Sequence, residues 1–192
     1  MAELISELIV SLDTFARGMQ SPGYYGFDGP DLAEWRRTNS AQPHRMLVGR
    51  RTYEMLSKLP EEARDDGWRA MSQTPGFLFS STLKSADWPG LEIVHDDLEG
   101  FARKLKAGDG PELRVLGSLS IARQLAAAGL LDRIKLVICP LVVPKTGVEP
   151  TFEGWPDTAF TLDSMKLLDG RLLLADYRLA GPPPSTKDAP QR

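Results

Sequence analysis

Short apolar runs recur along this chain, and most are followed by a turn and a segment with helical spacing. Leu8-Ile9-Val10, Met46-Leu47-Val48, Phe77-Leu78-Phe79, Leu91 to Val94, Leu113 to Leu116 and Ile134 to Ile138 read as six strands. Between them, Asp31 is placed to cap a short helix that buries Leu32 and Trp35. Tyr53, Leu56 and Leu59 share one face of a helix over Arg51 to Leu59. Asp97 precedes a helix with Leu98, Phe101, Ala102 and Leu105 inward. A further helix buries Leu119, Ala122, Leu125 and Ala126 and stops at Gly129. The pattern changes after residue 160, where Phe160 to Leu168 and Arg171 to Leu179 flank Asp169-Gly170, a strong hairpin signal. A chain that alternates strands and helices and ends in a hairpin implies an α/β fold with a mixed sheet, parallel in most of its body.

The 192 residues suffice for one domain, expected over 1–180, with a polar, proline-rich disordered tail over 181–192. A net charge of -3 gives no electrostatic case for nucleic acid. No apolar run approaches the ~20 residues that span a bilayer, and Met1-Ala2-Glu3-Leu4 lacks the features of an export signal, so a cytoplasmic protein is expected. The single cysteine, Cys139, lies in an apolar run and reads as a small buried hydrophobe. Two histidines, His44 and His95, without HExxH or CxxC spacing, offer no metal site. A P-loop, a G-x-S-x-G elbow and GxGxxG are all absent.

What remains is three strand exits with anion-binding chemistry. Gly49-Arg50-Arg51-Thr52 joins a glycine, two arginines and a helix start. Ser80-Ser81-Thr82 is a cluster of hydroxyls. Val115 to Ala122 runs from a strand through Gly117-Ser118 into a helix at Leu119, leaving backbone N–H groups at the exit. In open α/β sheets ligands sit outside the carboxyl ends of the strands, where these exits converge. Taken singly, each also reads as an ordinary turn or helix cap.

In this order, the segments resemble the dihydrofolate reductase-like superfamily. They are more similar to the C-terminal reductase domain of the bifunctional riboflavin-biosynthesis deaminase–reductase and its stand-alone relatives. The likeness rests on Ser11-Leu12-Asp13, Leu47 to Glu54, Ser80 to Leu83, Val115 to Ser118 and Leu125 to Asp132, and covers roughly residues 4 to 179. It implies a three-layer α/β/α fold with a central mixed sheet closed by a C-terminal antiparallel hairpin. It also implies an NADPH-dependent reductase of a small nitrogen heterocycle or its glycosylamine, acting on C=N or C=O. The substrate would resemble 5-amino-6-(5-phosphoribosylamino)uracil or a pterin or folate. Gly49, Arg50, Arg51, Thr52, Ser80, Ser81, Thr82, Gly117, Ser118 and Leu119 would bind the cofactor.

On the substrate side the same likeness singles out Asp13, either as a hydrogen-bond partner of the ring and aid to proton delivery or as a turn residue accepting backbone N–H bonds. Tyr24, Tyr25 and Phe27, in a glycine-rich loop, would wall the substrate pocket or pack that loop onto the body. Ser118 stands where relatives carry a second glycine, so its hydroxyl would cap the helix or crowd the site; in the superfamily the glycine pair can carry a cis peptide. The Pro140 to Thr151 loop replaces a Leu-Gly-x-Gly run. A homodimer is also implied, with the apolar Leu172-Leu173-Leu174 as its interface or as ordinary core. The alternative to a reductase is a non-catalytic nucleotide-binding sensor or scaffold of the same fold. A dihydrofolate reductase in the strict sense fits less well, because the first loop lacks a Pro-Trp pair.

Overall fold

The structure, a computed structural model, describes residues 1–21, 23–95 and 97–184. In chain order the strands are β1 (Leu4–Ser11), β2 (Phe15–Gly18), β3 (His44–Gly49), β4 (Gly76–Phe79), β5 (Leu91–Val94), β6 (Glu112–Leu116), β7 (Arg133–Cys139), β8 (Gly147–Pro150), β9 (Ala159–Leu168) and β10 (Leu172–Gly181). The helices are α1 (Pro30–Ala41), α2 (Arg50–Ser57), α3 (Asp66–Gln73), α4 (Leu98–Ala107) and α5 (Leu119–Ala127). Eight strands form one sheet in the order β5-β4-β3-β6-β1-β7-β10-β9, and β2 and β8 form a separate ribbon. From β5 to β7 every pairing is parallel, while β10 runs antiparallel to both β7 and β9. The mostly parallel mixed sheet closed by a hairpin is the architecture the sequence implies.

The apolar runs become strands because both faces of the sheet are covered. Leu47 on one face joins Leu8, Val10, Val115 and Leu136 in a core closed by Leu98 and Ala102 of α4 and by Ile121, Ala122 and Leu125 of α5. Its neighbours Met46 and Val48 point the other way, to Tyr53, Leu78 and Trp88. Further along that second face, Leu32 of α1 packs on Val137, Cys139, Leu168 and Leu172. Strands buried on both faces read as unbroken apolar runs rather than alternating ones. Cys139 is fully buried, and burial pushes its thiol up to about 11. Asp97 caps α4 through the Gly100 N–H (2.7 Å), and Gly129, in the left-handed region, follows the end of α5.

Several local expectations are corrected. Asp31 does not cap α1. The helix starts after Gly29, and the Asp169 carboxylate of the hairpin turn accepts the N–H groups of Asp31 (2.9 Å) and Leu32 (3.0 Å). The Asp31 carboxylate returns the contact by accepting the Asp169 N–H. Leu59 lies beyond α2, and Leu119 is half-buried. The first glycine-rich loop contains β2, which pairs with β8 some 130 residues later through Phe15↔Pro150 and Gly18↔Gly147. Leu172 is fully buried, so it belongs to the core. The outward apolar residues of the hairpin are Leu162, Met165 and Leu167 on the edge strand β9. Gly181 closes β10, and the tail expectation otherwise falls largely on 185–192, outside the described residues. Among the described residues no helix is long and apolar enough to cross a membrane.

Candidate functional site

All strands from β5 to β7 run parallel, so their carboxyl ends share one edge of the sheet. Along it the exits of β3, β4, β5 and β6 line a single cleft of about 760 Å³, within the roughly 300–1,000 Å³ of small-molecule sites. The three exits singled out in the sequence meet here. All ten cofactor candidates line the cleft except Thr82. The fourth exit, at Val94 and His95, obeys the same strand-exit rule but lies outside the three the sequence reading joins. A wall from Glu149 to Thr151, with Glu153, closes the cleft. It belongs to the β2–β8 ribbon and the segment just beyond, and no local sequence signal marks it.

Ser118 ties two exits together. Its hydroxyl accepts the Gly49 N–H (2.8 Å) and lies within donating distance of Thr52 Oγ1 (3.0 Å) and the Leu116 carbonyl (3.1 Å). It makes no cap bond to α5, which corrects the helix-cap expectation. The approach at Gly49 is close: a Cβ there would meet Ser118 Oγ at 3.1 Å, so the serine side chain would have to shift slightly. Gly117 turns the chain with φ +55°, which favours glycine. No cis peptide bond occurs among the described residues.

Neither α2 nor α5 carries a side-chain cap at its amino end. In α5 the Ala122 N–H bonds the Ser118 carbonyl (3.0 Å), and the N–H groups of Leu119, Ser120 and Ile121 precede any intrahelical acceptor. These three residues line the cleft, so the helix presents unpaired donors and its positive dipole end to a ligand there.

The side chains around the cleft carry both signs, with Arg50, Arg51 and Arg123 set against Asp97, Glu149 and Glu153. Arg50 pairs with Glu54 (3.0 Å), whereas Arg51 has no ion pair among the described residues. Two of the acids are occupied: Asp97 caps α4, and Glu149 pairs with Arg17 (3.1 Å). Glu153 adds an exposed carboxylate, and its carbonyl accepts from Arg123 (3.4 Å). Ser80 is structural, its hydroxyl accepting the Thr82 and Leu83 N–H groups (3.2 and 3.0 Å). The Ser80 carbonyl sits 2.6 Å from His95 Nδ1. A carbonyl only accepts, so Nδ1 donates in this contact.

The residues singled out for substrate do not line this cleft. Asp13, just beyond β1, accepts the Ser11 hydroxyl (2.6 Å) and the Val143 N–H (2.9 Å). The Ser11 hydrogen bond is the largest influence on its carboxyl and, with Val143, outweighs partial burial and holds it below the ordinary value. It is therefore an ionised acceptor near neutral pH. Tyr25 donates its hydroxyl to the Phe15 carbonyl (2.6 Å). Burial pushes the Tyr24 phenol up to about 12. Tyr24, Tyr25 and Phe27 all pack against the core beneath α1. Tyr24 and Tyr25 have φ of 52° and 53°, a strained conformation for side-chain-bearing residues.

The chain is similar to several known proteins. Bacillus subtilis (strain 168) YyaP is 24% identical over 145 residues, which are 73% of this chain and 76% of that protein. Among solved structures, a putative riboflavin biosynthesis protein from Shewanella sp. PV-4 superposes with a TM-score of 0.68 at 16% identity, covering 93% of this chain and 99% of the other. A pyrimidine reductase-like protein from Corynebacterium diphtheriae has a TM-score of 0.68 at 17% identity, covering 93% and 92%. At such identities the structural likeness is one of fold. The family model described as the RibD C-terminal domain matches residues 2–174, nearly the whole of β1 to β10, and this chain belongs to that family.

Proposed function

We propose that this protein is an NADPH-dependent reductase of a small nitrogen heterocycle or its glycosylamine, of the kind named in the reductase-like relatives. The observation that carries the reading is the convergence of four strand exits and two uncapped helix ends on one cleft with Arg51, which has no ion pair among the described residues. The donor set suits a dinucleotide. The first turn of α5 would hold its diphosphate, and Gly49 and Gly117 let the backbone approach it. Arg51 and Ser81 would take the phosphate of the adenosine end. When bound, a reduced nicotinamide supplies hydride to a C=N or C=O carbon. The chain's own part is to bind, orient and exclude water. Asp13, ionised, would accept a hydrogen bond from a ring amino group rather than donate a proton.

A nucleotide sensor of the same fold is the second reading. It is favoured by the engagement of Asp13 with Ser11 and Val143 and by the inward packing of Tyr24, Tyr25 and Phe27. Titration with NADPH and NADH, followed by NADPH oxidation against dihydrofolate, pterin and aminopyrimidine substrates, separates the two. Saturable binding with turnover supports the reductase, and binding without turnover supports the sensor. Failure of both cofactors to bind removes both. We also propose a homodimer, supported by the exposed Leu162, Met165 and Leu167 on the unpaired edge of β9. Sedimentation at two protein concentrations tests it.

A further inference from the structure

The cleft wall just beyond β8 holds a side chain outside the proposed cofactor contacts. Thr151 is 1% exposed, lines the cleft, and its Oγ1 has no hydrogen-bond partner among the described residues. Buried hydroxyls are nearly always satisfied, and an orphan calls for an explanation. The other buried side-chain atoms without partners, on Ser6, Ser57, Trp88 and Trp155, belong to residues that do not line the cleft. Thr151 is also firmly placed. Its N–H donates to the Thr14 carbonyl (2.9 Å), and it directly follows the Phe15↔Pro150 pair of the ribbon. Thr14 (φ 64°) and Glu149 (φ 62°) hold left-handed conformations rare for such residues, and the Arg17–Glu149 ion pair (3.1 Å) braces the ribbon. Just beyond, the Glu153 carbonyl meets Arg123 of α5. This segment therefore runs beside the helix whose first turn offers free N–H groups.

We propose that Thr151 completes the anion cradle begun by α5, donating its hydroxyl to a phosphoryl oxygen of the bound ligand. The proposal rests on the reading of the cleft as a dinucleotide site. In this reading a phosphoryl group would lie within reach of both the backbone N–H donors of α5 and the Thr151 hydroxyl, whose residues line the same cleft. The orphaned hydroxyl is then a group whose partner arrives with the ligand.

The test is equilibrium titration of wild type, Thr151→Val and Thr151→Ser with NADPH and with ADP-ribose 2′-phosphate, which keeps the diphosphate but lacks nicotinamide. Melting of each ligand-free protein is measured alongside. Loss of a hydrogen bond to a charged oxygen predicts roughly tenfold weaker binding of both ligands by Thr151→Val. Thr151→Ser should stay within roughly threefold of wild type, because the donor survives. Ligand-free Thr151→Val should melt no lower than wild type, since it removes an unpaired buried hydroxyl. Thr151→Ala, which removes the same donor without adding carbon, reads the same contact if the valine variant does not fold. Unchanged affinity together with a lowered melting temperature would make Thr151 purely structural. A loss confined to NADPH would overturn the phosphoryl assignment. Unchanged affinity in a wild type that binds overturns the Thr151 proposal alone, whereas absence of binding by wild type overturns the cofactor reading with it.

Discussion

Replacing Ser118 with alanine tests how the two central exits are joined. Ser118 is only 4% exposed, and its Oγ accepts the Gly49 N–H at 2.8 Å while lying 3.0 Å from Thr52 Oγ1 and 3.1 Å from the Leu116 carbonyl. Its single proton goes to one of those two acceptors. The alanine variant therefore loses one accepted and one donated bond, and the Gly49 N–H is left without a partner at the end of β3. Stranding a partly buried donor costs about 1–3 kcal/mol, here taken as about 2 kcal/mol. For a chain of this length that is a fall in Tm of about 4–8 °C. Thr52→Val removes only one of two alternative acceptors, so it should cost less than about 1 kcal/mol. In the double variant the Thr52 change should add almost nothing, since its partner is already gone. Calorimetry of the four proteins gives this cycle, and NADPH titration gives the second arm. The hydroxyl faces protein rather than ligand, so Kd for Ser118→Ala should move by no more than about threefold. An unchanged Tm with a tenfold rise in Kd would refute the reasoning and make the hydroxyl a ligand contact. Tighter binding by Ser118→Gly would instead show that the serine crowds the site.

Four charged side chains give further tests. Arg51→Gln should weaken NADPH roughly tenfold and leave NADH unchanged in fluorescence titrations, the loss expected of a hydrogen bond to a charged group; equal losses for both would remove its phosphate role. Arg50→Gln should do less, because Glu54 already holds Arg50. Arg133→Ala leaves Asp176, 8% exposed, without its bidentate partner. It should lower unfolding free energy in urea by about 3 kcal/mol or more. Asp13 contributes stability only while ionised, because its carboxyl is held below 3.8 in the folded protein. The contribution is present above that value and is lost as pH falls through the depressed one. The stability gap between wild type and Asp13→Ala should therefore be full at pH 7 and close in strong acid. The pH–rate profile should show no Asp13 ionisation near neutrality.

The sheet was legible because parallel strands buried on both faces must be apolar throughout, and runs such as Leu91 to Val94 end where the strands end. The hairpin was legible because Asp169 and Gly170 both adopt the left-handed conformation that a primed turn requires. The ribbon of β2 and β8 was not, since FARG and GVEP lack alternation and are held by pairing across some 130 residues. Nor does any local rule let Asp169 cap a helix that starts at residue 30. α3 did leave a signal, an Asp65 cap on Trp68 and the spacing of Trp68 and Met71, but a helix of about two turns carries little periodicity. At the site, residue types at strand exits identified the cleft, whereas the direction of the Ser118 hydroxyl and the orphaned Thr151 hydroxyl depend on tertiary placement.

A crystal structure of the protein grown with saturating NADPH tests the central claim most directly. The account predicts the diphosphate against the Leu119, Ser120 and Ile121 N–H groups, with the phosphorylated adenosine end beside Arg51 and Ser81. NADPH bound away from this cleft, or a cleft left empty at saturating ligand, would contradict it.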